Sequence, residues 1–247
     1  MTRDAVRIWA KEELLPKVRA MDDAQKMDPA IVQSLFDNGF MGMEIPSEYG
    51  GAGLTFTSAC LAVEEIARVD PSVAILVDIH NTLTNNAVRF WGSQSLQKKW
   101  LPRLATDCPS SFCLSEAGSG SDAFSMTTTA TPSRDGWTLN GSKLWISNSI
   151  EAGVFLVFAN ADLSKGYKGI TAFMVDASTE GISVGKPENK LGLKASSTCP
   201  VMFEDVKVDA SQVLGEVGLG YKYCIGILNE GRIGYAIAAC FLSIPLC

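Results

Sequence analysis

The sequence predicts an α+β fold. It has an N-terminal all-α domain over residues 1–108, a middle antiparallel β-barrel or sandwich domain over 109–216, and a return to helix over 217–247. Three observations carry this reading. Apolar residues recur at helical spacing up to about residue 105, the pattern changes to period two from Ser110, and helical spacing resumes near Gly220. No helix-length stretch separates the strand-like runs, which argues against βαβ units.

In the N-terminal part Val6, Trp9, Leu14 and Val18 recur at roughly turn intervals. Asp28-Pro29 gives a cap followed by a first-turn proline, predicting a helix through Leu35 that Gly39 ends. A loop, PSEYGGAG (46–53), leads to residues 57–69, where Leu61, Glu64, Glu65 and Arg68 fit an amphipathic helix. Asp70-Pro71 starts another, and residues 96–104 read as a short last one. In the middle part, residues 112–114 are a short apolar run. GWTL, Asn140-Gly141 and SKLWI then read as a hairpin on a type I′ turn. Residues 154–159, 170–175, 182–184 and 201–206 are further strands, and 221–239 is a helix.

Composition excludes several classes. Hydrophobic residues make up 47% and charged residues 19%, which rules out disorder. Lys and Arg number 21 against 27 Asp and Glu, a net charge of −6, and no basic run occurs, so neither a nucleic acid nor an anionic membrane is expected as partner. The seven cysteines (Cys60, Cys108, Cys113, Cys199, Cys224, Cys240, Cys247) form no CxxC pair, and His80 is the single histidine. A disulfide framework and a zinc site are therefore not expected, and a reducing compartment fits. The N-terminus lacks the apolar core of a signal peptide and is not Ser-rich and acid-poor like a transit peptide. Residues 233–247 are uncharged, but 15 residues are too few to span a bilayer. Mean hydropathy is nevertheless positive, +0.14.

Gly118-Ser-Gly120-Ser-Asp-Ala123 matches the GxGxxG/A dinucleotide pattern. The β-branched run Thr127–Thr129 follows, where that fingerprint needs a helix, and no βαβ unit surrounds it, so a Rossmann site is excluded. What remains is a Gly/Ser turn whose N–H groups, with Ser115, Ser119 and Ser121, can cradle an anion. An ordinary turn is the plainer reading. GWTLNGSK lacks the Gly-Lys-Ser/Thr ending of a P-loop, and no GxSxG elbow is present. Trp145 and Ser147 share one strand face and could set an indole and a hydroxyl against a planar ring, or belong to a core. His80, with no second histidine, reads as packed rather than catalytic. Asn229, Glu230 and Arg232 put an amide, a carboxylate and a guanidinium in one helical turn, as a solvated face also would.

FCLSEAGSGSD (112–122) and LNGSKLWISN (139–148) together resemble the two signatures of the acyl-CoA dehydrogenase family. PSEYGGAG, NKLGLKASSTCPV (189–201) and VKVDASQVLGEVGLG (206–220) are similar to further family blocks, and the resemblance runs to about Ala239. GYKGIT (166–171), KPENKLGL (186–193) and NEGRIG (229–234) are similar to members acting on short and branched chains. The resemblance implies FAD as cofactor, bound by Phe112, Cys113, Leu114, Ser115, Gly118, Gly120, Ser121, Trp145, Ile146 and Ser147. Ser115 and Ser147 would bond the ring edge, Trp145 would pack on the ring, and Ser121 would meet the pyrophosphate. It implies acyl-CoA contacts from Ser121, Tyr167, Tyr221, Asn229, Glu230, Gly231 and Arg232. The implied reaction is oxidation of a short or 2-methyl-branched acyl-CoA to the trans-2-enoyl-CoA, with electrons passed to electron-transferring flavoprotein, in a homotetramer of the mitochondrial matrix.

The family's catalytic glutamate lies in a C-terminal helical bundle, or in some members at the position here held by Gly231. Glu116 and Glu230 occupy neither place, so no catalytic base is expected within this chain. The bundle is expected to be truncated, with residues 240–247 a tail unlike the family and Pro245 ending the helix. On that expectation the chain is inactive alone; a non-catalytic truncated isoform and an acyl-CoA oxidase-like flavoprotein are the alternatives.

Overall fold

The structure, a computed structural model, describes residues 2–243, with side chains described for residues 3–239. The helical part opens with α1 (Thr2–Trp9), which runs through a wide turn and a tight one into α2 (Val18–Ala24). It continues with α3 (Pro29–Asp37), α4 (Phe56–Ala67), α5 (Pro71–Asp78), a wide-turn segment Ile79–Asn85, α6 (Asn86–Trp91) and α7 (Gln94–Thr106). The expected caps are in place. The Asp28 carboxylate accepts from Ala30 N–H at 2.9 Å and the Asp70 carboxylate from Ser72 N–H at 2.7 Å, each satisfying the first-turn donor just after a proline.

Helix α4 departs from the amphipathic expectation. Glu64 and Glu65 are buried with their apolar neighbours, because α4 is the central helix of the N-terminal core. Their charge is met from α1: Arg3 Nε and Arg7 Nε donate to Glu65 at 2.6 and 2.9 Å, and Arg3 and Arg68 donate to Glu64. The hydrogen bonds from Arg7, then Arg3, outweigh burial and hold the Glu65 carboxyl at about 2.

The sheet part contains eight strands in the order β6-β7-β3-β2-β4-β5-β8, with β1 lying against β4. The strands are β1 (Ser110–Cys113), β2 (Thr129–Ser133), β3 (Gly136–Ser147), β4 (Val154–Asn160), β5 (Ile170–Asp176), β6 (Ile182–Val184), β7 (Thr198–Asp209) and β8 (Val213–Leu214). Two expectations are corrected here. The sheet is not wholly antiparallel: β1 pairs β4 in parallel, with Phe112 opposite Leu156. Nor does Asn140-Gly141 make a hairpin turn. β3 is one continuous strand, and the turn falls earlier, where Ser133 of β2 faces Gly136 of β3.

Asn140-Gly141 instead faces a bulge in β7: between Leu139 and Gly141 the register shifts, with an extra β7 residue opposite Asn140. The Asn140 amide donates to the Asp205 carboxylate at 3.0 Å and accepts from Asp205 N–H at 2.8 Å, while Asp205 takes a left-handed φ of 52°. Gly141 has φ of 146°, and a Cβ there would sit 2.7 Å from Thr128 Cα. Gly141→Ala is therefore expected to cost about 2–3 kcal/mol through strain and overpacking. Urea unfolding measures it; a loss under about 0.5 kcal/mol would show that the contact is compliant.

Helix α8 (Gly220–Ser243) closes the described chain. It packs across α4, α5 and Ile79–Asn85, with Tyr223, Cys224 and Ile227 joining a core shared with α7 and the sheet. The expected tail, including Cys240, Pro245 and Cys247, has no described side chains, and residues 244–247 lie outside the described residues. The five cysteines with described side chains are free and buried. Among the described residues no His/Cys/Asp/Glu group could hold a metal, and no helix is long and apolar enough to cross a membrane.

Candidate functional site

The Gly/Ser segment 115–122 folds as a tight turn rather than a helix start. Glu116 N–H donates to Ser119 O at 3.0 Å and Ser119 N–H returns to Glu116 O at 3.1 Å. A pair that sequence reasoning did not identify anchors it. Lys143, on β3, is fully buried and donates from Nζ to Glu116 Oε1 at 2.8 Å and to Leu114 O at 3.0 Å. Glu116 also accepts from Thr127 N–H at 2.6 Å, Thr127 Oγ1 at 2.7 Å and Thr128 N–H at 3.0 Å. Burial alone would raise the Glu116 carboxyl; the Lys143 ammonium and these hydrogen bonds outweigh it and hold it at about 2. The available signal was Lys143 itself, a lysine inside an otherwise strand-like run.

With its base fixed, the turn presents its upper side outward. Ser119 spends its hydroxyl on Asp122 O at 2.8 Å, whereas the turn itself leaves the N–H groups of Gly118, Gly120 and Ser121 unused. No atom lies within 4 Å of where a Cβ on Gly118 or Gly120 would stand, so this face opens onto free space. Donors without acceptors around such a face make an anion cradle.

Beside it, Leu144 N–H bonds Ser115 O at 2.9 Å, and the Ser111 hydroxyl donates to Ser147 O. These bonds draw residues 110–115 and 144–147 into one edge. A bulge in β3 itself, between Lys143 and Ile146, gives Trp145 a φ of 61° and leaves its indole 57% exposed. A large aromatic ring held outward by strained backbone beside free donors is an unusual use of energy at a strand end. Such an edge offers stacking area and N–H donors to a flat aromatic ligand that carries an anionic group. Of the other residues expected to bind the cofactor, Phe112 is half-buried, 5.2 Å from the Phe158 ring. Leu114 is buried. Cys113 and Ile146 face the interior of the sheet, so only their backbone groups are on offer.

The residues expected to meet acyl-CoA fall in two groups along α8. Tyr221, at its start, stacks edge-on with Tyr167 at 5.0 Å and with Phe124 at 6.5 Å, which places it beside the turn of Ser121. Asn229, Glu230, Gly231 and Arg232 lie about 15 Å further along at 1.5 Å per residue. Arg232 donates to the Asn229 amide oxygen at 3.2 Å, and both side chains are exposed. Glu230 turns inward and accepts from the Asn86 amide at 2.7 Å; burial first, then Glu44, raises its carboxyl above the usual value. Gly231 borders a cavity of about 330 Å³ between α8 and residues 78–83, walled also by Asp78, Ile79, Leu83 and Leu228.

His80 is packed, as expected. Its Nδ1 accepts from Ser110 N–H at 3.2 Å and its Nε2 lies 2.8 Å from Leu104 O, which sets a neutral ring with the proton on Nε2. Burial pushes it down to about 4.

Comparisons with known proteins identify the fold. Residues 1–107 match the family profile "Acyl-CoA dehydrogenase, N-terminal domain" and residues 111–206 the profile "Acyl-CoA dehydrogenase, middle domain". The mitochondrial short/branched chain specific acyl-CoA dehydrogenase of Bos taurus is 54% identical over 96% of this chain, which spans 55% of that protein's length. A chain in the structure of the electron transferring flavoprotein of Acidaminococcus fermentans superposes with a TM-score of 0.96 at 35% identity, covering 98% of this chain and 64% of that one. A glutaryl-CoA dehydrogenase of Mycobacterium smegmatis, in complex with FADH2, superposes with a TM-score of 0.89 at 30% identity, covering 97% of this chain and 61% of that one. The chain, with its helical N-terminal part, its sheet-containing middle part and the C-terminal helix α8, belongs to the acyl-CoA dehydrogenase family.

Proposed function

We propose that this chain carries the FAD-binding and acyl-CoA-binding segments of a dehydrogenase for short, 2-methyl-branched acyl-CoA thioesters. The product is the trans-2-enoyl-CoA, and electron-transferring flavoprotein is the electron acceptor. The observation that carries the reading is the shared edge of the 115–122 turn and Trp145, with its free donors and outward ring. FAD, when bound, supplies the acceptor for the substrate's β-hydride. The protein's part is placement. Ser115, Ser147 and the N–H groups of the turn bond the cofactor's polar edge and pyrophosphate, Trp145 covers its ring, and α8 lays the substrate from Tyr221 towards Gly231.

The α-proton leaves to a carboxylate in this chemistry, acidified by hydrogen bonds to the thioester oxygen. Asp78 and Glu230 are carboxylates of this region, and neither is assigned as the base: the first is packed on α8 and the second is bonded to Asn86. The homotetramer and the matrix location remain part of the same proposal, supported by the likeness to mitochondrial enzymes.

Reconstitution with FAD, followed by flavin absorbance and fluorescence quenching, tests this. The chain is expected to bind FAD, and 2-methylbutanoyl-CoA to perturb the bound flavin spectrum. Trp145→Ala and Ser147→Ala are each expected to weaken FAD binding about tenfold through lost ring contact or a lost hydrogen bond. Unchanged affinity in both variants would place the cofactor elsewhere. Peroxide formed in air without electron-transferring flavoprotein would instead indicate an oxidase.

A further inference from the structure

The cavity between α8 and residues 78–83 is walled mainly by Ile79, Leu83, Leu228 and Ala236, with the exposed Arg232 and Tyr235 also lining it and one buried ionisable group inside. Asp78, the last residue of α5, is only 2% exposed and lines the cavity. Its Oδ1 has no hydrogen-bond partner. The carboxyl lies flat on α8 at Gly234, where a Cβ would stand 1.9 Å from Oδ1, so the absence of a side chain there is what lets the acid group into the interface. An unpaired buried carboxyl costs several kilocalories if it ionises, and it needs either a proton or a ligand to complete it.

We infer that Asp78 is a specificity-determining residue for the chain that enters this cavity: it admits a short uncharged acyl chain and rejects one that ends in a carboxylate. The inference rests on the acyl-CoA reading above for the identity of that chain. Its physical ground is the lack of any buried counter-charge. The Arg232 guanidinium borders the cavity, but it is exposed and held by Asn229. His80 is neutral and directed to Leu104 and Ser110. Cys60 on the packed helix α4, with Glu44 and Glu230 nearby, brings no positive charge. Tyr235 is exposed, and the Thr82 hydroxyl donates to the carbonyl of Asp78 at 2.8 Å. A terminal carboxylate reaching the buried part of this cavity would therefore meet the Asp78 carboxyl and apolar side chains, with the nearest cation, Arg232, out in solvent.

The discrimination is pH-dependent. Burial pushes the Asp78 carboxyl up to about 7, with Thr82 partly opposing. Below that pH the acid can donate a hydrogen bond to an incoming carboxylate, and above it two negative charges meet.

Two pairs of probes test this in the full chain at pH 6 and pH 8. The first is 2-methylbutanoyl-CoA against glutaryl-CoA, followed by calorimetry. The second is 2-methylbutanamide against glutaric acid monoamide, which lack CoA, followed by NMR chemical shifts of residues around the cavity. Expected is a preference for the uncharged chain of about tenfold or more at pH 8, shrinking severalfold at pH 6. Asp78→Asn is expected to remove the pH dependence. Discrimination among the amides without binding of either CoA ester would sink the acyl-CoA reading and leave Asp78 its role. Binding of both esters with equal preference at the two pH values would do the reverse. If no probe enters the cavity, the inference falls. Should Asp78→Asn fail to fold, the wild-type comparison of pH 6 with pH 8 decides alone.

Discussion

Replacing Lys143 with methionine is expected to destabilise the protein by about 3–5 kcal/mol at pH 7 and to abolish FAD binding, because it strands the buried Glu116 carboxylate. Methionine matches the stem of lysine but brings no charge and no donor. Glu116 would keep its bonds from Thr127 and Thr128 but lose its counter-ion, and Leu114 O would lose its partner. Urea unfolding and flavin titration measure the two effects. The double variant Lys143→Met with Glu116→Gln is expected to recover most of the stability, since a neutral amide can still bond the threonines. A loss of less than about 1 kcal/mol in the single variant would mean that the pair is dispensable. The same pair predicts acid sensitivity. The Glu116 carboxyl sits at about 2 in the folded chain, below its ordinary value. Its contribution is therefore complete above about pH 4.3 and is lost as pH falls towards 2, a span worth roughly 3 kcal/mol.

Two buried groups on adjoining turns are expected to give opposite pH slopes that nearly cancel. Asp78 is raised to about 7 by burial, so between about pH 4 and 7 the folded state holds a proton that the unfolded state has lost. Stability from this group falls as pH rises through that window, by roughly 4 kcal/mol in total. His80 is lowered to about 4, so between pH 4 and about 6.5 the unfolded state holds the extra proton. Stability from this group rises with pH, by roughly 3 kcal/mol. The wild-type profile is expected to be nearly flat from these two groups between about pH 4 and 6.5. Asp78→Asn should expose the rising limb of His80, and His80→Gln the falling limb of Asp78. Parallel profiles for wild type and Asp78→Asn would refute the assignment.

Much of the helical part was legible because its signals are local. Asp28-Pro29 and Asp70-Pro71 cap where they stand, whatever surrounds them. The two signatures were legible as segments, and so was their pairing. Their common anchor was not, because Lys143 and Glu116 lie 27 residues apart and their contact depends on the twist of β3. Asn140-Gly141 misled for a related reason. A two-residue turn signal also suits the strand that faces a bulge, and the deciding partner, Asp205 in that bulge, is 65 residues away. Glu64 and Glu65 looked like a solvated face because Arg3 and Arg7, which neutralise them, come from another helix. The parallel placement of β1 left no trace in its four residues.

Two bulges bracket Lys143, one in β7 opposite Asn140, between the Leu139 and Gly141 pairs, and the other in β3 between Lys143 and Ile146. A plain strand of this length could slide along β7 by one residue with little loss of backbone pairing, and every side chain would change face. Ser142 or Leu144 would then stand where the ammonium belongs, and Trp145 would point into the sheet. The bulges act like the wards of a lock: Gly141 fits only against Thr128, and Asn140 only against Asp205. Misaligned chains are thereby denied a comfortable resting place, so the correct alignment of one strand guards both the buried charge and the outward ring during folding.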